Sequence, residues 1–244
     1  MQKHYSNRTR LATTTSALAI LLTSVGLSVP AAAQMTPPAD AECTLDTNGD
    51  GVADSTAGAS ATGEGALACG VNATANGSDA TAIGTDSSSN GTSSTSVGGE
   101  SVADGTAATS FGWRANATGE RAHAFGHLAS AQGDFTLAIG ENAQAQSDNA
   151  TAIGNQSVAN GADALAIGDS ANSTGTSSTS VGGESVANGT AATSFGWRAN
   201  ASAERAHALG HLANASGVRS LAVGEAASAS GEASVAQGNQ AVAS

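Results

Sequence analysis

From Leu67 onward a bulky side chain recurs once in every 14 residues, always directly before a glycine. The column reads Cys69, Ile83, Val97, Phe111, Phe125, Ile139, Ile153, Ile167, Val181, Phe195, Leu209, Val223 and Gln237. The glycines behind it run from Gly70 to Gly238 without a slip, thirteen in all. Self-similarity at a fixed period means a stack of identical structural units. A second glycine follows seven residues after each first one (Gly77, Gly91, Gly105 and so on), with only Ser147 and Ala203 breaking the column. The residue before it is polar, as in Asn76-Gly77, Asp104-Gly105 and Asn160-Gly161, which is turn chemistry that calls for a positive φ. Each unit therefore predicts strand, turn, strand, turn. A coiled-coil heptad fails, because a glycine per heptad costs a helix about 1 kcal/mol and Ser, Thr and Asn occupy positions where Leu, Glu and Lys belong.

Period-2 geometry assigns faces to the columns. The bulky column and the residues two earlier (Leu67, Thr81, His123, Leu137, Leu165) share one face, expected to be the interior. In the second strand the third and fifth residues after the glycine are Ala or Ser throughout, as at Ala73 and Ala75, and are expected to face that interior. Between the two inward positions expected for the first strand lies another invariantly small column, including Ala82, Ser96, Ser110, Ala124, Ala138, Ala152 and Ala166. A solvent-facing column would admit Lys, Glu or Gln. These residues are therefore expected to pack against another copy of the chain. Burying about one large side chain per coil, worth roughly 1.5–3 kcal/mol, points to the same need for oligomerisation.

The x-(Ala/Ser)-h-Gly phrase, the Ala-x-Ala-x-Gly counter-phrase and the 14-residue period resemble the head repeats of YadA-like trimeric autotransporter adhesins. The resemblance covers about residues 67–244. It implies an all-β, left-handed parallel β-roll of about 13 coils, trimeric with the small column as the expected trimer interface, displayed on a Gram-negative surface and used for attachment and autoagglutination.

Residues 1–33 read as a secretory signal: Lys3, Arg8 and Arg10 precede a largely apolar stretch, and Ala31-Ala32-Ala33 supplies a small-residue cleavage site. An uncleaved anchor is the alternative, opposed by the Thr and Ser that dilute the stretch. Removing the signal leaves 8 − 3 = 5 basic residues against 20 acidic ones, a net charge of 5 − 20 = −15, with no lysine. Such a surface does not bind nucleic acid, which requires clustered Lys and Arg. Scattered acids suit a soluble exported rod. No stalk heptads or membrane barrel follow before Ser244, so membrane contact is expected only through an anchor this chain lacks, with release into the medium as the alternative.

Residues 34–66 form a leader or cap. Asp46-Thr47-Asn48-Gly49-Asp50-Gly51-Val52-Ala53-Asp54 matches the front of a calcium loop, with Asp46, Asn48, Asp50, the Val52 carbonyl and Asp54 as ligands. Ala57 replaces the bidentate glutamate of a full EF-hand, so the expectation is weak, extracellular-type calcium binding or a plain Asx-rich turn. Cys43 and Cys69 bracket the loop. In an exported chain the pair predicts a disulfide, the alternative being a free Cys69 that acts as a small core hydrophobe.

The stretch 92–143 nearly repeats as 176–227, six coils later. Both copies carry the expressive side chains: Trp113, Arg114, His127 and their counterparts Trp197, Arg198, His211. Rim packing is the expectation for the tryptophans, and the alternative is that these residues contact a ligand, since Trp and Arg are favoured in hot spots. Stacking predicts ion pairs between Glu100 and Arg114 and between Glu184 and Arg198. His123 and His207 are expected in the core, either satisfied there or, in a trimer, converging on an ion. No G-x-S-x-G, H-E-x-x-H, P-loop or RTX nonapeptide is present, and no catalysis is expected. The functional expectation is an adhesive head for host matrix, cells or surfaces. A structural spacer without a ligand of its own is the alternative, and an ice-binding array is disfavoured because its Thr column is interrupted.

Overall fold

The computed structural model describes residues 41–43 and 57–244. Each 14-residue unit forms one coil, made of a three-residue strand such as Thr81–Ile83, a turn, a two-residue strand such as Ser88–Ser89, and a second turn. Stacking the coils produces two 14-stranded parallel sheets, one of the longer strands and one of the shorter. Every strand pairs with the same position one coil away: Ala138 with Ala152, Ile139 with Ile153, Ala145 with Ala159. The turns are bonded from coil to coil as well, as where Asp86 N donates to Val71 O at 2.7 Å. The chain is thus a β-solenoid with no helix among the described residues.

The interior is the reverse of the sequence expectation in the longer strands. The small column points in and the bulky column points out. Ala82, Ser96, Ser110, Ala124, Ala138, Ala152 and Ala166 have no exposed surface within a single chain. They cannot be the trimer interface, because their own coil already covers them. They meet the inward residues of the shorter strands, as expected at Ala73 and Ala75, together with a column four before each glycine (Ala66, Ala80, Ser94) that the sequence reading overlooked. Many core serines have a partner, as Ser96 with Ser101 and Ser89 with Ser94 at 2.6 Å and Ser110 to Ala115 O at 2.7 Å, whereas the buried hydroxyls of Ser87 and Ser220 have none. A partner offsets the cost of burying a hydroxyl.

Geometry explains the reversal. A β-turn at each edge, closed by bonds such as Ala80 N to Gly77 O at 3.1 Å, joins the two sheets too closely for an isoleucine between them. A one-residue shift of register exchanges the two faces of a strand, so the large residues are all displaced outward together. The turns also differ from expectation. Gly77 does not carry the positive φ. That conformation falls two residues later, on Asp79 (φ 55°), and in the other turn on residues such as Asn72, Glu100, Arg114 and Leu128. Gly77 is needed because a Cβ there would strike the Gly91 carbonyl of the next coil.

Candidate functional site

The displaced bulky column leaves a continuous, largely apolar face on the surface. The outward face of the longer-stranded sheet carries two columns, Leu67 to Val235 and Cys69 to Gln237, without one Asp, Glu, Lys or Arg. Phe111 and Phe195 are 54% and 56% exposed, and Ile83, Phe125, Ile139 and Leu209 stand out beside them. Thirteen strands at a spacing of about 4.8 Å and a width of about 10 Å make an apolar strip on the order of 600 Å². That is as large as the largest patch expected on a monomer, and such patches mark interaction sites. His123 and His207 lie half-buried on this face, not in the core as expected. His123 has Thr109 and Leu137 on either side and its ring 6.4 Å from that of Phe125. From Ala57 onward every Asp, Glu and Arg lies outside the strands.

One rim carries the duplicated cluster. Trp113 lies over Gly99, whose missing side chain makes room for the indole: a Cβ there would come within 3.2 Å of Trp113 Cδ1. His127 of the next coil stacks on the indole with centroids 4.9 Å apart and planes at 12°, and its Nδ1 is 3.4 Å from Glu141 Oε1. Arg114 Nε is 3.0 Å from Glu100 Oε2, with the guanidinium 4.9 Å from the indole centroid. Six coils on, the arrangement recurs with Gly183, Trp197, His211 and Glu225 stacked (5.0 Å and 11° for the rings) and Arg198 3.2 Å from Glu184. Both predicted cross-coil ion pairs are formed. Exposed pairs of this kind contribute about 0–1 kcal/mol. On the opposite rim Arg121 lies over the Phe135 ring at 5.4 Å, and Arg219 pairs with Glu232.

The N-terminal end is closed by the leader. Ala41–Glu42 forms the first strand of the longer-stranded sheet, pairing in parallel with Leu67 and Ala68, and Cys43 is disulfide-bonded to Cys69. Stacking therefore begins ahead of residue 67. Between Ala41 and its partner Leu67 the chain runs 67 − 41 = 26 residues where other coils use 14, so the first coil contains a 12-residue insertion. The calcium-type positions Asp46, Asn48, Asp50, Val52 and Asp54 fall in it and lie outside the described residues, as does the signal segment 1–33. Among the described residues no group of His, Cys, Asp and Glu is arranged to hold a metal, no pocket opens, and no helix is long and apolar enough to cross a membrane.

A parallel β-solenoid with a small-residue core, a charge-free outer strip and charged turns defines a stacked-repeat domain with no cavity of its own in the described part. The YadA head domain repeat matches residues 61–87, 89–115, 117–143, 131–157, 145–171, 159–185, 173–199, 187–213, 201–227 and 229–244. The chain belongs to the YadA head family. Domains of this family form trimers, bind external ligands and are carried by exported bacterial surface adhesins. No curated protein matches the chain individually.

Proposed function

We propose that the chain is the non-enzymatic head of a trimeric adhesin exported to a Gram-negative cell surface, and that three copies assemble through the outward strip of the longer-stranded sheet. The strip carries the reading. Its thirteen consecutive coils hold Ile, Val, Phe, Leu and Thr outward with no charge, while the exported chain otherwise bears −15. Such a face favours burial by about 25 cal/mol per Å². A three-fold assembly covers it on every copy and leaves the shorter-stranded sheet outside. That outer sheet presents Thr74, Ser88, Asn116, Gln144, Asn172 and Asn200 interspersed with Val102, Val158 and Val186, a mostly polar surface open to host matrix, other cells or abiotic material. Autoagglutination follows if the same surface meets its counterpart on a neighbouring cell. Calcium in the 12-residue insertion belongs to this proposal as an organiser of the N-terminal cap.

Light scattering on the chain freed of residues 1–33 tests assembly, with a trimer expected and a monomer refuting it. A binding screen against matrix proteins, cells and plastic tests adhesion. Background binding everywhere would overturn the adhesive reading in favour of a spacer.

A further inference from the structure

We infer that Trp113 and Trp197 are the anchors of the seam between neighbouring protomers, each seated in a notch above Ala107 or Ala191 of the adjacent copy. The inference rests on the trimeric reading and adds its register. Rotation about a three-fold axis moves nothing along that axis, so each coil lies at the same height in all three copies. The strip faces the axis. The turn that leaves a long strand in one copy must then meet the turn that enters the same strand in the next, in a closed heterologous contact.

At the level of strand Thr109–Phe111 the leaving turn holds Trp113 and Arg114 and the entering turn holds Thr106 and Ala107. At Thr193–Phe195 the leaving turn holds Trp197 and Arg198 and the entering turn Thr190 and Ala191. On the entering rim the left-handed turn position is small at two successive coils, Ser93 then Ala107, and closes above with Arg121 and Phe135. The duplicate runs Ser177, Ala191, Arg205. The bulkiest side chains of one rim thus share a level with alanines of the other.

Trp113 is prepared for this role. One face of its ring rests on Gly99 and the other on His127, which fixes its orientation, yet it remains 43% exposed, and Trp197 44%. The adjacent Phe111, 54% exposed, continues the aromatic edge onto the strip. A ring held still with its edge uncovered loses little entropy on docking.

Cysteine pairs read the register directly. Within one chain residues 107 and 113 stand at opposite edges of the same sheet, beyond disulfide reach, and Cys43 and Cys69 are already bonded to each other. Mild oxidation of the chain carrying Ala107→Cys and Trp113→Cys together is expected to yield a covalent trimer on a non-reducing gel. The pair Ala107→Cys and Glu141→Cys, two coils or about 10 Å out of level, is expected to stay uncross-linked. A trimer by light scattering with no cross-link from the first pair, or with equal cross-linking from both, overturns the seam and leaves the trimer standing. A monomer overturns both. With both tryptophans retained, emission is expected to shift to the red when Ile153→Lys disperses the assembly, and unchanged emission on dispersal counts against the seam.

Discussion

Two adjacent residues separate the interior from the interface. Ala152 is fully buried, stacked between Ala138 and Ala166, whereas Ile153 points outward between Ile139 and Ile167. Ala152→Lys forces a long chain into a space already filled, costing about 1–3 kcal/mol in overpacking, and places an unpaired ammonium there at a cost of several kcal/mol more. The sum approaches the whole stability of an ordinary domain, about 5–15 kcal/mol, so this variant is expected to lose its β circular dichroism. Ile153→Lys should change the fold of the single chain by no more than about 0.5 kcal/mol, as surface substitutions do. In a trimer it removes three isoleucines at about 2 kcal/mol each and brings three like charges together. About 6 kcal/mol corresponds to roughly four decades in the association constant. Light scattering and circular dichroism on both variants give the answer. A folded monomer from Ile153→Lys beside an unfolded Ala152→Lys is expected. A folded Ala152→Lys protein that has lost its trimer, with Ile153→Lys unfolded, would refute the assignment of faces.

Gly140→Ala should be severely destabilising, by about 3 kcal/mol or more, because φ is +129° there and the new Cβ would lie 2.5 Å from Gly154 O; a melting midpoint within experimental error of the parent contradicts this. Reduction of Cys43–Cys69 combined with chelation of calcium should raise hydrogen exchange in the coils at Gly70 and Gly84 and leave those at Gly154 protected, since only the terminal strand pair loses its fastening. Unchanged protection at Gly70 would show that the leader does not act as a clamp.

The period, the class of fold and the cross-coil partners could be read from the sequence because they are local or strictly repetitive. A glycine every 14 residues leaves the chain no regular structure but a stacked coil, and a constant register puts Glu100 beside Arg114 and Trp113 beside His127 whatever the coil encloses. The direction of the columns was not local. Alternation along Thr151-Ala152-Ile153 states that Thr151 and Ile153 share a face and that Ala152 takes the other, but not which face is inside. The usual preference for large apolar side chains in the core selects the wrong one. Only the separation of the two sheets, set by turns such as Gly77–Ala80 and by the carbonyl of the next coil against each glycine, admits alanine and serine and turns isoleucine and phenylalanine outward. Tertiary structure therefore decided which residues form the core and which are left for a partner, because the width of the interior depends on both sheets at once and on neither strand alone.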